Sequence, residues 1–173
     1  NPVDRFTVDY GLVATILSGG KQVGLASEGR ISFPQGGYEL RKARFDSKID
    51  VDTIPLDLLE SYYGTLGPLT GLKGSMSPRL RWVGSLEEGG KVAGAVALQQ
   101  LEVISSGESD GSKAVGGELQ VDIDLSRDRV RFRRLDLRTE DANLFAQGTL
   151  SSPDGRSPYL EIHLMTPFLS LGA

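Results

Sequence analysis

The sequence contains no cysteine and only one histidine, His163. Without cysteine there are no disulfides, no thiolate metal ligands and no cysteine nucleophiles. A serine or threonine nucleophile needs a neighbouring base. His163 lies between Ile162 and Leu164 in an alternating pattern, where a lone histidine is a surface or packing residue far more often than a catalyst. We therefore predict that the chain is not an enzyme and that it has no catalytic residue, no metal site and no cofactor.

Long hydrophobic segments are also missing. The longest largely apolar runs, residues 12–17 and 93–98, are six residues each, far short of the ~20 that cross a bilayer as a helix. The chain begins at Asn1 without a methionine or a secretory signal. We expect a single β-rich domain over residues 1–173, cut from a longer protein whose missing segments provide any targeting or membrane association.

Charge of one sign is not concentrated on any part of the chain. The formal net charge is −4, and acidic and basic residues are interspersed throughout. Acidic residues flank the one dense basic cluster, which consists of Arg127, Arg129, Arg131, Arg133 and Arg134. A nucleic-acid-binding domain normally presents a basic face, so we predict no nucleic-acid partner. We interpret the cluster as the solvated face of a strand, with phosphate or lipid-headgroup binding as the less favoured alternative.

The sequence is rich in glycine, with 22 residues, and in period-two alternation. Apolar residues alternate with acids and glutamine from Glu118 to Asp124, which predicts a strand with one apolar and one wet face. Similar alternation covers residues 5–12, 22–33, 38–51, 77–86, 91–104, 128–137, 143–150 and 159–164, with glycine-containing turn signals between them. We predict a mainly β fold in which a long antiparallel meander forms a twisted, curved sheet or groove.

One segment departs from the period of two. Residues 53–63 have leucines and tyrosines at helical spacing, and Pro55 and Asp57 stand where a first helical turn favours them. The pattern predicts one short amphipathic helix that covers the apolar face of the sheet.

The entry to this segment recurs near the C-terminus. Ile49-Asp50-Val51 followed by Ile54-Pro55-Leu56 has a counterpart in Ile162-His163-Leu164 followed by Thr166-Pro167-Phe168. Similarity at a fixed spacing is typical of arrays. We therefore expect one complete repeat-like unit and the start of the next from about residue 158.

Three stretches resemble the AsmA-like family of bacterial envelope proteins, which includes the TamB and YhdP types. They are residues 43–51 leading into Ile54-Pro55-Leu56-Asp57-Leu58-Leu59, residues 69–76 with their glycine-flanked start, and residues 92–101 with their glycine, alternating apolar residues and leucine. They all lie between residues 43 and 101, and they are patterns of glycine and alternation rather than catalytic motifs.

The resemblance implies a twisted β-groove of stacked units with an apolar concave face. It also implies a parent protein anchored in the inner membrane of a Gram-negative bacterium. Such a protein would lie in the periplasm or cell envelope and take part in outer-membrane biogenesis or in phospholipid transport between the two membranes. The expected partners are phospholipid acyl chains and the rest of the parent chain.

A groove for acyl chains requires an apolar sheet face that is left uncovered. The candidates for it are Leu119, Val121, Ile123, Val130, Phe132, Leu160, Ile162 and Leu164. Two alternatives to the groove stay open at this point. The apolar faces could close on themselves as a dry core, as in a structural repeat of an adhesin, or the chain could be an extracellular or periplasmic β-rich module that binds carbohydrate or protein.

Overall fold

The chain forms one open antiparallel sheet of ten strands. The computed structural model describes residues 6–18, 20–34, 36–59, 69–105, 114–140, 142–151 and 159–169. The strands are β1 (Thr7–Ser18), β2 (Lys21–Ser32), β3 (Arg44–Val51), β4 (Ile54–Pro55), β5 (Leu69–Ser85), β6 (Gly89–Ser105), β7 (Val115–Leu125), β8 (Arg129–Thr139), β9 (Ala142–Ser151) and β10 (Tyr159–Leu169).

The order of the strands in the sheet follows their order in the sequence. The hydrogen-bonded path runs β1-β2-β3-β5-β6-β7-β8-β9-β10, and β4 pairs with β5 beside it. Every pairing is antiparallel. Within the described ranges β1 and β10 each have a single neighbour, so the sheet is open. The predicted mainly β meander of long strands is confirmed.

The predicted amphipathic helix over residues 53–63 is wrong in its described part. Residues 54–55 form the short strand β4, residues 56–59 form a single 3-10 turn, and residues 60–63 lie outside the described ranges. Strand β3 stops pairing with β5 at Asp50, while β5 continues toward its N-terminal end. Ile54 and Pro55 pair with this uncovered part of β5, because open hydrogen-bonding positions on a strand compete with the start of a helix.

The second copy of this sequence pattern lies in β10. Residues 162–169 all belong to that strand, which has a register shift against β9 between Met165 and Phe168. Residues 170–173 lie outside the described ranges. A repeat-like unit that begins near residue 158 therefore stays a prediction.

The sheet has very little interior. Among the described residues its hydrophobic core consists of Val23, Ala43, Leu56 and Ala146. The side chain of Tyr10 provides additional cover near β1: its hydroxyl donates to Ser47 Oγ at 2.6 Å and lies 3.2 Å from Ser27 Oγ. Ser47 is only 1% exposed, so the tyrosine both shields this hydroxyl and satisfies it.

The sheet contains a bulge where the first part of β5 meets the last part of β6. The register shifts between Lys73 and Ser75 on β5, and between Leu98 and Leu101 on β6 against β7. Gly74 has a φ of 108° and Gln100 a φ of 52°. A bulge of this kind increases local twist and bends the sheet.

We predict that Gly74→Ala destabilises the fold by about 1–3 kcal/mol. A Cβ at Gly74 would lie 2.5 Å from the carbonyl oxygen of Gln100, in a backbone conformation that disfavours side chains. Gly11→Ala is the matched control, since a Cβ there meets nothing within 4 Å, and it should change stability by no more than about 0.5 kcal/mol. Urea unfolding of both variants gives the comparison. Equal stabilities would contradict this account of the bulge.

Candidate functional site: one apolar sheet face

The structure places all eight candidate residues on one face of the sheet. Residues directly opposite each other in an antiparallel pair project to the same side. The pairs that β7 and β8 form on this side are Leu119–Leu137, Val121–Leu135, Ile123–Phe132 and Leu125–Val130. We call this side the apolar face and the other side the polar face.

Strand β9 connects these residues to the candidates on β10. Three rows cross β8, β9 and β10 on the apolar face: Val130–Leu150–Leu160, Phe132–Gly148–Ile162 and Leu135–Ala146–Leu164. The eight predicted residues therefore belong to one continuous surface, although β10 is separated from β7 by two other strands.

The apolar face continues across β1 to β6, where no candidate residue was predicted from the sequence. Its further members are Val92 and Val96 on β6, Leu80 and Trp82 on β5, Phe45 and Ile49 on β3, Val23, Leu25 and Ile31 on β2, and Val8, Leu12 and Ile16 on β1. The same alternation that identified β7 is present in these strands. The missing information was the register, which shows that the apolar positions of all strands align.

This face is exposed on the edge strands β1 and β10 and half-buried in the middle of the sheet, for example at Val121, Ile123 and Phe132. Leu12, Leu160 and Leu164 are 52%, 54% and 64% exposed. Contacts between the described elements are made almost entirely by neighbouring strands and by the turn at residues 56–59 with β4 and β5. No second layer of described residues covers the sheet. Contiguous apolar surface of this extent marks an interaction or ligand site in a folded protein.

The turn at residues 56–59 covers a small part of the sheet. Leu56 is buried, and the turn packs against β5. The carboxylate of Asp57 accepts a hydrogen bond from Lys21 Nζ at 2.5 Å, which joins the turn to the start of β2. This bond lowers the pKa of Asp57 below its ordinary value.

Two groups of aromatic rings lie on the apolar side of β1 to β5. Phe45 and Trp82 are stacked with their centroids 5.1 Å apart. Phe6, Phe33 and Tyr38 form a second group at the edge of the sheet where β1 begins, with centroids 5.5–6.0 Å apart. Rings packed on each other in this way add apolar surface to the face.

The polar face carries charges that pair across the strands. One row runs over three strands, with Asp9 opposite Arg30 and Arg30 opposite Asp46. Arg81 on β5 reaches Asp46 diagonally, since the residue directly opposite Asp46 is Val83. Arg30 Nε lies 2.8 Å from Asp9, and Arg81 binds Asp46 through two nitrogens at 2.6 and 2.7 Å. The hydrogen bond from Arg81 lowers the pKa of Asp46. Exposed ion pairs add little stability, but they keep this face in water.

The predicted basic cluster lies on and beside β8, and its arginines are exposed, as expected. The extra residue of a bulge in β8 falls at Arg133–Arg134, so both side chains are on the polar face. Arg133 binds Asp124, while Arg134 binds Asp136 at 2.6 Å. Neighbouring carboxylates thus neutralise a good part of the cluster.

Asp136 is the most enclosed carboxylate of this network, with a side chain only 11% exposed. It accepts hydrogen bonds from Arg138 at 2.9 Å and from Arg134 at 2.6 Å. These two bonds, that from Arg138 first, lower the pKa of Asp136 below its ordinary value.

The lone histidine is on the polar face near the β10 edge. His163 Nε2 lies 3.1 Å from Glu161, beside a shallow depression that Arg131, Gln147 and Thr149 also line. Glu161 is the only hydrogen-bond partner of the imidazole within the described ranges. The described residues contain no cluster of metal-ligating side chains and no helix long and apolar enough to cross a membrane.

No protein-family model, no curated protein and no solved structure matches this chain.

We predict that Asp136→Asn lowers the free energy of unfolding at neutral pH, because two arginines lose their shared carboxylate. A lowered pKa in the folded state gives stability that is present above the unfolded value of about 3.9 and is lost as pH falls. The difference between the native chain and Asp136→Asn should therefore shrink below about pH 4. Urea unfolding at pH 7 and pH 3.5 measures it.

Asp128→Asn is the control for this experiment, since Asp128 has no ion-pair partner among the described residues. It should unfold like the native chain at both pH values. If Asp136→Asn were as stable as the native chain at pH 7, the carboxylate would have no role in holding β8.

Proposed function

We propose that this chain is a non-enzymatic segment of a cell-envelope protein and that its apolar face binds the acyl chains of phospholipids. In the parent protein, anchored in the inner membrane and extending through the periplasm, this face would carry phospholipid between membranes and so serve outer-membrane biogenesis. The open apolar face supports the lipid-binding part. The resemblance to the AsmA-like family supports the envelope and transport part.

The observation that carries the proposal is the separation of the two sides of a single-layered sheet. Apolar residues line one side from β1 to β10, whereas salt bridges line the other. A face lined by leucine, isoleucine, valine and phenylalanine, without charges in its middle, suits hydrocarbon better than a polar ligand. Each methylene group that moves from water onto such a surface gains about 0.8 kcal/mol.

The alternatives fit the described structure less well. A dry core closed on itself requires two packed layers, and the described sheet is open. A carbohydrate module presents an accessible aromatic ring beside polar hydrogen-bonding groups. Here the ring of Trp82 is stacked on Phe45 and lies among aliphatic side chains. A protein that covers the apolar face would compete with lipid for the same residues, and the experiment below separates the two.

We predict that freshly purified chain contains phospholipid, at about one molecule or more per chain. Solvent extraction followed by mass spectrometry measures the bound lipid, with a delipidated sample as the blank. Ile123→Asp should lower the lipid content at least about tenfold, because a buried acyl chain does not tolerate an unpaired carboxylate. Val121→Asp should have the same effect.

Gln147→Asp is the matched control, since it introduces the same side chain at an exposed position on the polar face, opposite His163. It should retain the lipid content of the native chain. Circular dichroism establishes that each variant is folded. A native chain that is free of lipid, monomeric and thermally stable would overturn the proposal. So would an equal loss of lipid in Gln147→Asp and Ile123→Asp.

A further inference from the structure

A shallow depression lies on the polar face over β9, between β8 and β10. Strand β9 has no charged side chain, and Gln147 and Thr149 in its middle are shorter than the arginines of β8 beside them. The depression has a volume of about 390 Å³. The side chains that line it on this face belong to Arg131, Arg133, Gln147, Thr149, Glu161 and His163.

The register brings the walls and the floor of this depression together. Arg131 on β8 is directly opposite Thr149 on β9, and Thr149 is directly opposite Glu161 on β10. Gln147 is opposite His163 in the next row of this face. Directly opposite residues have Cβ atoms about 4.5–5.5 Å apart. The guanidinium of Arg131 and the hydroxyl of Thr149 can therefore contact one group bound between them.

The bulge in β8 leaves Arg131 without an acidic partner. Asp124 on β7 is directly opposite Arg131, where opposite charges normally pair across the strands. Asp124 is bound instead by Arg133, which the bulge leaves without a residue opposite it on β7. The next acid of β7, Asp122, is bound by Lys91 at 3.0 Å. Arg131 is therefore exposed and has no ion-pair partner in the part of the chain that the structure describes.

Two further observations favour an anion in this depression. Thr149 is half-buried, and its hydroxyl has no hydrogen-bond partner among the described residues. Two arginines and one carboxylate, that of Glu161, line the depression, so its formal charge is positive. Glu161 is partnered by His163, whose Nε2 lies 3.1 Å away. Bulges often re-aim side chains beside functional sites, and here the bulge provides the second arginine.

We propose that this depression is a phosphate-binding site, with the guanidinium of Arg131 and the hydroxyl of Thr149 as donors. The planar guanidinium donates two parallel hydrogen bonds to a phosphate, and a tetrahedral group has further oxygens for the hydroxyl of the neighbouring strand. Phosphate in solution and the phosphate of a lipid headgroup at a membrane surface have the same chemistry, and the experiment distinguishes them. The site is on the opposite face from the proposed acyl-chain site and does not depend on it.

Titration of the whole chain with inorganic phosphate, followed by nuclear magnetic resonance of the backbone amides, tests the site. The amides of Arg131 and Thr149 should shift saturably. Arg131→Gln should raise the dissociation constant at least about tenfold, because it removes a charge-assisted, bidentate hydrogen bond. Arg79→Gln is the matched control, since it removes an exposed arginine from the polar face of β5, and it should leave the constant unchanged.

A second pair of variants separates this site from the apolar face. Gln147→Asp adds a carboxylate to the floor of the depression and should weaken phosphate binding, whereas its bound phospholipid stays at the native level. Ile123→Asp should lose phospholipid and keep the native affinity for phosphate. Failure of the phosphate site and failure of the proposed lipid site are therefore distinguishable.

Flotation with vesicles of phosphatidylglycerol identifies the source of the phosphate. Binding of inorganic phosphate that is weakened in Arg131→Gln identifies a phosphate in solution as the ligand. If inorganic phosphate does not bind, and Arg131→Gln loses the vesicles while Arg79→Gln retains them, the ligand is a lipid headgroup. The proposal is overturned if neither inorganic phosphate nor vesicle binding depends on Arg131. Equal weakening in Arg131→Gln and Arg79→Gln also overturns it, since that is the behaviour of diffuse surface charge.

Discussion

The structure depends on the agreement between a side-chain period of two and a register that keeps apolar positions opposite each other over nine successive strands. A slip of one residue would turn a whole strand over. Two bulges show how the chain avoids this, because the extra residue falls at polar positions, Arg133–Arg134 in β8 and Gln100 in β6, with Gly74 of β5 beside the latter. On both sides of the β8 bulge, apolar residues of β7 and β8 still face each other, as Val121–Leu135 and Ile123–Phe132 do.

Because apolar and charged residues lie on opposite faces of a single sheet, the molecule has only a small hydrophobic core. Only a handful of apolar side chains are buried among the described residues, and the ion pairs of the polar face contribute little to stability in water. Much of the hydrophobic stabilisation available to such a sheet is realised only when something covers the apolar face. Ligand binding and folding stability are therefore coupled, since an occupant that binds only the folded chain stabilises it.

Much of the fold could be predicted from the sequence, because alternation such as that of Leu119, Val121 and Ile123 is a local signal. The strand at residues 54–55 could not be predicted, and a helix over residues 53–63 was predicted there instead. The decisive factor is not local in the sequence, because it is the uncovered part of β5 that pairs with Ile54 and Pro55. The candidate residues on β7, β8 and β10 were found, whereas those on β1 to β6 were missed because face alignment depends on register. The adjacent arginines Arg133 and Arg134, which interrupt the alternation of β8, were a readable sign of the bulge.

The central claim is that the apolar face is an accessible hydrocarbon-binding surface, and the only tryptophan of the chain is placed to report on it. Trp82 lies on this face, opposite Ser47 on β3 and Val92 on β6. The most direct measurement is quenching of its fluorescence by phospholipids that carry bromine on the acyl chains, compared with the same lipids without bromine. The account predicts strong quenching by the brominated chains alone. Tryptophan emission that is unchanged by brominated lipid at saturating concentration would contradict it.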